Sequence, residues 1–169
     1  MNIKFLAILS SALAFSSLCA APAQPAAEAA AGQAAEAASG AQFTGAQYEG
    51  ALEKAKAEKK PLLIYFTGSD WCPFCIYFDR DVLSRDDFKK YAEKNYVMVV
   101  CDFPRKKLPK ELALKNEELA KKFGIEGFPT MVLMNAQNGK TELAGYRRGI
   151  TPQSFIKTVS DFEKSSGLK

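Results

Sequence analysis

Two cysteines spaced two residues apart, directly behind an apolar run, constrain this chain more than any other feature. The run LLIYF at 62–66 predicts a buried strand, and Cys72 and Cys75 open the helix predicted to follow it. Thiols at positions i and i+3 of a first helical turn can close a tight disulfide, and the partial positive charge there favours a thiolate on the first sulfur. This predicts Cys72 as the nucleophile and Cys75 as the resolving thiol. The spacing by itself is also compatible with half of a zinc site or with two small buried hydrophobic residues.

The composition excludes several other kinds of site. Because the chain has no histidine, it cannot form a histidine-assisted serine or cysteine hydrolase, a histidine-ligated zinc site or a CxxCH haem attachment. The other two cysteines are Cys19, which lies in a predicted signal segment, and Cys101. The mature chain therefore keeps too few thiols for a four-cysteine zinc site or an iron–sulfur cluster. We expect a redox dithiol, with no metal and no cofactor other than the Cys72–Cys75 disulfide.

The first 20 residues predict a secretory signal peptide, since a lysine precedes an apolar stretch that ends in small residues. Cleavage after Ala20 or after Ala23 fits this pattern, and we expect a periplasmic or secreted protein. Lipidation of Cys19 is an alternative that Leu18 disfavours, because a small residue is usually required there. An uncleaved anchor is a further alternative, although the segment is short for a bilayer.

Residues 21–42 are alanine-rich and lack the aromatic and β-branched residues that build a core, so they predict a flexible linker. Residues 43–169 have the size of one domain. The formal net charge falls from +4 to +3 with the signal peptide, because only Lys4 is lost. This balance indicates no particular partner, and we expect no nucleic-acid partner and a monomer.

The periodicity of the domain predicts alternating strands and helices. Several local signals mark their ends: Ser84 with Asp87 forms a capping-box pattern, Gly124 suits a helix end, and Thr151 with Pro152 suits a helix start. The order βαβα followed by ββα predicts an α/β fold, a mixed sheet with helices on both faces. The predicted elements are a helix at 46–59, a strand at 62–67, a helix from Cys72 that breaks near Leu83, a helix at 85–94, a strand at 96–101, a basic loop at 103–109, a helix at 110–123, a strand at 130–134, a turn at 138–139, a strand at 141–147 and a last helix from Pro152.

From residue 48 onward the chain resembles the thioredoxin superfamily. The sequence FTGSDWCPFC at 66–75 is similar to the exported bacterial thioredoxin-like branch, and GFPT at 127–130 matches a second family marker. The resemblance implies a thioredoxin fold in which Pro129 is cis and lies beside the disulfide. It also implies that the backbone of Phe128 pairs with an extended segment of a partner protein.

The resemblance further implies an apolar rim around the reactive sulfur, formed by the aromatic rings near the two motifs. Plain core packing of part of each ring is the alternative. A glycine near the end of the domain is expected to leave room for the partner, Gly149 first and Gly145 second. The predicted substrate-binding residues are Trp71, Pro73, Phe74, Phe128, Pro129 and Gly149.

Three positions depart from the cytoplasmic thioredoxin pattern. Pro73 and Phe74 replace Gly-Pro between the cysteines, and the loop at 103–115 is enlarged. Phe66, six residues before the first cysteine, stands where many thioredoxins carry a buried aspartate that accepts the proton of the resolving thiol. Met98 is the expected replacement for the partner lysine.

Other residues near the predicted dithiol carry weaker signals. Asp70 and Asp102 are candidates to shuttle protons, although loop carboxylates are usually just solvated. Cys101 is expected to be a buried, inert thiol rather than a third redox centre. The basic run at 105–107 is expected to be a solvated surface.

These observations predict an exported thiol–disulfide oxidoreductase that reduces or exchanges disulfides in protein substrates, with reduction as the first choice. Its partners would be proteins with disulfides or thiols and an unidentified membrane or periplasmic redox partner. The alternatives are an oxidase or isomerase, and a non-catalytic peptide-binding or chaperone-like module whose CxxC is a structural disulfide.

Overall fold

The apolar run at 62–66 lies in the central strand of a five-stranded sheet. The computed structural model describes residues 42–168; the predicted signal peptide and linker residues 21–41 lie outside this range. None of the helices within this range has the length and apolar character needed to span a membrane. The elements are β1 (Gln42–Thr44), a 3₁₀ turn (Gly45–Gln47), α1 (Tyr48–Glu58), β2 (Pro61–Thr67), α2 (Pro73–Phe78), a π-helical turn (Asp79–Leu83), α3 (Asp86–Asn95), β3 (Val97–Asp102), α4 (Lys110–Lys122), β4 (Thr130–Asn135), β5 (Thr141–Gly145) and α5 (Pro152–Ser166).

The strands follow the order β1-β3-β2-β4-β5 across the sheet. Strands β1 and β2 run parallel to β3, β4 runs antiparallel to β2, and β5 runs antiparallel to β4. Phe66 lies opposite Cys101 of β3 and opposite Thr130 of β4. Because β2 and β3 end where β4 begins, the residues after Thr67, after Asp102 and before Thr130 meet at one edge of the sheet.

Helices cover both faces of this mixed sheet, which confirms the predicted fold class. Strand β2 is buried at every position, as expected for a strand covered on both faces. Leu63 and Tyr65 pack in a core with side chains from α2, α3 and α5. Their neighbours Leu62, Ile64 and Phe66 pack in a second core with side chains from α1 and α4. Successive side chains of a strand point to opposite faces, so β2 contributes to both cores.

Strand β1 was not among the predicted elements. Gln42, which composition assigns to the linker, is its first residue, and it pairs with Met98; Phe43 pairs with Val99. Three residues carry too little periodicity to signal a strand. Pairing with a strand more than 50 residues away in sequence, as the register shows, determines this element.

Helix α3 begins after a break near Leu83, as predicted, but its cap differs. Arg85 rather than Ser84 occupies the N-cap position, so the capping-box prediction is wrong. The N–H of Ser84 instead donates to the carbonyl of Asp79 at 2.7 Å and closes the π-helical turn. Ser84 thus ends the helical segment that begins with α2, and it does not cap α3.

Other predicted ends are confirmed. The Thr151 hydroxyl accepts a hydrogen bond from the N–H of Ser154 at 3.2 Å, and Pro152 is the first helical residue of α5. Gly124 follows α4 with φ +63°, a conformation that favours glycine. Strand β5, however, ends at Gly145, two residues before the predicted end.

Candidate active site

The two cysteines lie at the edge of the sheet where β2 gives way to α2. Cys72 is the N-cap residue with extended backbone, and Pro73 is the first helical residue, where its fixed φ suits the helix. The sulfurs form a disulfide, with the two Cα atoms 5.2 Å apart. The N–H of Cys75 donates to Cys72 Sγ at 3.2 Å. Cys72 is 4% exposed and Cys75 is fully buried, so an incoming group can reach only the first sulfur.

The helix that begins at Cys72 continues beyond α2. The π-helical turn follows α2 directly, so helical backbone extends from Pro73 to Leu83. Aligned peptide dipoles over this length place partial positive charge at the N-terminus, where Cys72 Sγ already accepts an N–H. Once the disulfide is reduced, this environment favours a thiolate on Cys72.

Trp71 is fixed beside the disulfide by the loop after β3. Its Nε1–H donates to the carbonyl of Phe103 at 2.7 Å, and its ring contacts the edge of Phe128 with centroids 5.9 Å apart. Phe103 and Phe128 also contact each other, at 5.1 Å. A Cβ at Gly68 would lie 2.5 Å from the Trp71 ring, so the ring can occupy this place only above a glycine. The indole remains 37% exposed and forms one side of the site.

Phe74 lies on the other side of the site. Its ring is 55% exposed and stacks on Tyr146 with centroids 5.8 Å apart. Tyr146 also contacts the edge of Phe78 at 6.3 Å, which anchors it to α2. The predicted rim is therefore divided: Trp71 and Phe128 form one side, and Phe74 with Tyr146, a residue the sequence did not single out, forms the other.

The two loop carboxylates join neighbouring loops. Asp102 accepts hydrogen bonds from the N–H and hydroxyl of Ser69, at 2.9 and 2.6 Å. Asp70 accepts the N–H of Arg105, at 3.0 and 3.2 Å from its two oxygens. These bonds fix the loop before the cysteines against the loop after β3, a structural role that the sequence did not predict.

The peptide bond between Phe128 and Pro129 is cis, as the resemblance implies. Gly145 lies opposite Thr130 in the register of β4 and β5, and a Cβ at Gly145 would lie 3.5 Å from the carbonyl oxygen of Pro129. A Cβ at Gly149 would meet nothing within 4 Å, and its φ of +80° is what favours glycine there. Gly145, the second choice from sequence, is thus the glycine in contact with the Pro129 loop.

Phe66, six residues before Cys72, faces one side of the sheet. It packs with Phe123 at 6.4 Å in the core under α1 and α4. The residue of β2 that faces α2 is Tyr65, whose ring contacts Phe78 at 5.8 Å. Phe66 thus shares its core with Phe103 and Phe128, which lie in the loops around the disulfide.

A turn separates β2 from Cys72. It is not extended, so side-chain alternation does not carry through it and a fixed count cannot tell which face a strand residue occupies. Met98 pairs with Leu63 and packs in the same core as Tyr65 and Phe78, and the β3 residue opposite Tyr65 is Val100.

Two polar side chains, Tyr65 of β2 and Asp79 at the end of α2, interact with each other on the face of the sheet that α2 covers. Burial raises the pKa of Asp79 to about 6; Asp102 raises it further, and an interaction with the Tyr65 hydroxyl opposes the shift. Burial also raises the pKa of Tyr65 well above its usual range, and Asp79 adds to this. Asp79 lies one helical turn after Cys75, and its N–H donates to the Cys75 carbonyl. Sequence reasoning missed Asp79, although an acid four residues after the second cysteine was a usable signal.

Cys101 is separate from the dithiol. It is fully buried in β3 beside Phe66, and burial raises the pKa of its thiol to about 12. A thiol in this state is almost fully protonated at neutral pH, which agrees with its predicted inertness. Among residues 42–168, no three cysteine or acidic side chains are arranged to hold a metal ion.

Comparison with known proteins places this geometry among thioredoxin-like proteins. Residues 48–162 match the family described as a thioredoxin-like domain. The disulfide bond reductase DsbH of Chlamydia pneumoniae is 38% identical over 100 residues, which cover 59% of this chain and 60% of that protein. The thioredoxin-related protein DsbJ of the same organism is 33% identical over 86 residues, 50% of this chain and 25% of DsbJ.

A solved structure of a DsbH oxidoreductase superposes with a TM-score of 0.64 at 35% identity, covering 79% of this chain and 89% of that one. The chain thus spans less than two thirds of the length of the curated proteins DsbH and DsbJ.

Proposed function

The chain belongs to the family of thioredoxin-like domains, and we propose that it is a thiol–disulfide oxidoreductase that reduces disulfides in other proteins. The observation that carries this proposal is the Cys72–Cys75 disulfide at the start of α2, where the first sulfur is the more exposed one. The reactive disulfide is its only cofactor in this proposal. Similarity to a protein named as a disulfide bond reductase supports the reducing direction.

The proposed reaction has two exchange steps. In the first, the Cys72 thiolate attacks a substrate disulfide; the substrate S–S bond breaks, a mixed disulfide forms, and the second substrate sulfur leaves as a thiolate that takes up a proton. In the second, deprotonated Cys75 attacks the Cys72 sulfur, which restores the Cys72–Cys75 disulfide and releases the other substrate thiol. The substrate gains two electrons and two protons, and the dithiol loses them. A redox partner, membrane-bound or periplasmic, must then reduce the protein again.

Asp79 is the proposed proton acceptor for Cys75. It lies one helical turn from that residue, and its raised pKa of about 6 makes its carboxylate a better base than an ordinary aspartate while leaving it mostly ionised at pH 7. Asp79→Asn should slow the release of substrate from the mixed disulfide near pH 7 but leave the first attack by Cys72 intact. Stopped-flow measurement of the two steps separates these effects. Equal slowing of both would remove Asp79 from this role.

The proposed substrate groove lies between the two aromatic sides of the site. An extended protein segment would pair with the Phe128 backbone beside cis-Pro129, a short β-augmentation that brings its cysteine to Cys72. Trp71 on one side and Phe74 on the other offer exposed apolar surface to that segment. The predicted contributions of Pro73 and Gly149 belong to the same proposal.

We place the mature protein in the periplasm or outside the cell. The N-terminal 20 residues support this, because they have the basic, apolar and small-residue parts of a signal peptide. Mass spectrometry of the exported protein should find a new N-terminus after Ala20 or Ala23. A diacylglyceryl group on Cys19 would instead show a lipoprotein tethered by residues 21–42.

Insulin reduction tests the activity. The purified protein should catalyse it in dithiothreitol, and the Cys72→Ser/Cys75→Ser variant should not. Equilibration with glutathione should give a potential in the reducing half of the range from about −270 to −120 mV that thioredoxin-like proteins span. A value near the upper limit would favour an oxidase or isomerase. Binding of unfolded protein that persists in the double variant, without catalysis, would favour a binding module.

A further inference from the structure

A first group of exposed basic side chains lies beside Trp71. Arg105, Lys106 and Lys107 are exposed in the loop between β3 and α4. This loop is fixed to the active site at two points: the N–H of Arg105 donates to Asp70, and the carbonyl of Phe103 accepts the indole N–H. The three residues, here called the first basic arm, therefore have a defined position next to the disulfide.

A second group lies on the opposite side, beside Phe74. Arg147 and Arg148 are exposed and directly follow Tyr146, whose ring stacks on Phe74. The N–H of Ile150 donates to the carbonyl of Arg147 at 3.0 Å and closes a turn. Arg147 and Arg148, here called the second basic arm, are thus held near the second residue of α2.

The charges of both arms are available to a partner. Among the salt bridges of residues 42–168, none includes an arm residue, whereas Lys54, Lys56 and Lys115 pair with glutamates on their own helices. In the loops at 68–71 and 124–129 the acids are Asp70 and Glu126. With Asp102 and half-buried Asp79, four acids lie in this region against five exposed basic side chains, and Asp70 and Asp102 already accept hydrogen bonds from neighbouring loop residues.

We propose that the two basic arms select protein substrates whose disulfides are flanked by acidic residues. This inference rests on the proposed function. A segment paired with the Phe128 backbone would run between the arms, so acidic residues on either side of its cysteine would face positive charge. At physiological salt, charges interact over a Debye length of about 8–10 Å. Complementary charges on two binding partners raise the rate of their association about 10- to 10³-fold. The basic run at 105–107, expected from sequence to be a plain solvated surface, would then determine specificity.

The test compares three peptides with the same internal disulfide, flanked by glutamate, glutamine or lysine. The reduced protein is mixed with each, and the second-order rate of disulfide reduction is measured at low and high salt. We expect the rates to fall in the order glutamate, glutamine, lysine, with about tenfold or more between the first and the last at low salt. The ratio of the glutamate rate to the lysine rate should approach one as salt increases. Salt screens the attraction between the arms and the peptide charges, but it does not change the thiol–disulfide exchange itself.

Two arm variants and one control assign the effect. Arg105→Gln/Lys106→Gln/Lys107→Gln and Arg147→Gln/Arg148→Gln should each lower the ratio of the glutamate to the lysine rate several-fold. Lys90→Gln/Lys94→Gln removes two charges from α3, whose end leads into the start of β3 at the opposite edge of the sheet, and should leave the ratio unchanged. Equal rates for the three peptides, or the same loss in the α3 control, would overturn the proposal. Failure to reduce any of the peptides or insulin would instead overturn the proposed function.

Discussion

Cys75 and Cys101 are both fully buried, but they lie in chemically opposite surroundings. Cys75 is in the first turn of α2, bonded to Cys72, with the polar side chains of Tyr65 and Asp79 in the same region of the fold. Cys101 is in the middle of the sheet, and burial raises the pKa of its thiol to about 12. Burial by itself therefore does not determine what a cysteine can do in this molecule. Cys75 differs from Cys101 because it lies in the first turn of a helix and because Cys72, with its Cα atom 5.2 Å away, is close enough to form a disulfide.

The largest effect should be the difference in insulin-reducing activity between variants of the dithiol and variants of Cys101. Cys72→Ser should lower insulin reduction by about 10³-fold or more, because no other sulfur can make the first attack. Cys75→Ala should trap a mixed disulfide that mass spectrometry detects as a covalent adduct. Cys101→Ala should retain activity within about twofold. A comparable loss of activity in Cys101→Ala would show that Cys101 takes part in turnover.

The alkylation rates of the reduced, folded protein should show the same contrast. At pH 7, Cys72 should react with iodoacetamide about 10²- to 10³-fold faster than Cys101, since a thiol with a pKa near 12 supplies almost no thiolate. Peptide mapping after timed quenching gives the rate for each residue. After unfolding in denaturant, the rates should become similar, and a difference that survives unfolding would exclude tertiary structure as its cause.

The neighbours of the two cysteines should differ in what they contribute to stability. Phe66→Ala removes a fully buried ring next to Cys101 and should lower the free energy of unfolding by about 3–5 kcal/mol without changing the rate at which the mixed disulfide is resolved. Phe74→Ala removes the same atoms from a ring that is 55% exposed and should lower it by about 1 kcal/mol or less. Denaturant titration measures both. Similar losses would mean that the burial of the two rings is not what the structure shows.

Asp79, which lies one helical turn after Cys75, should make the free energy of unfolding depend on pH. Its folded pKa of about 6 exceeds the ordinary value of 3.8, so the folded state favours the protonated form. This preference contributes up to about 3 kcal/mol to the free energy of unfolding. The contribution is fully present below about pH 4 and is lost as the pH rises through about 6. Asp79→Asn should therefore gain stability relative to the parent between pH 4 and pH 8. Asp161→Asn, at an exposed carboxyl whose pKa is lowered by Lys157, should show no such gain.

A small effect should come from the hydrogen bond that fixes Trp71. Trp71→Phe removes the donor to the Phe103 carbonyl and should lower the free energy of unfolding by about 1 kcal/mol. It should also widen the range of positions available to the first basic arm, which would reduce the preference for glutamate-flanked peptides. An unchanged preference would show that the remaining bonds, from Arg105 to Asp70 and from Phe103 to the Thr67 carbonyl, hold this loop in place.

The sequence by itself determined those features that depend on neighbours within a few residues. The cysteine pair at a helix start, the buried strand before it and the cap of α5 by Thr151 and Pro152 are local patterns, in which one hydrogen bond or one helical turn connects the residues involved. The GFPT sequence similarly indicated the cis-proline loop, through resemblance to a family.

Tertiary structure alone decided what depends on residues far apart in the chain. It placed Tyr65 rather than Phe66 against α2, because a turn of irregular backbone separates β2 from the cysteines. It placed half-buried Asp79 against Tyr65 of β2, and it brought Gly145 beside Pro129 through pairing of β4 with β5. Periodicity predicts that a side chain is buried, but the face it occupies and the groups it meets there depend on how distant segments pack.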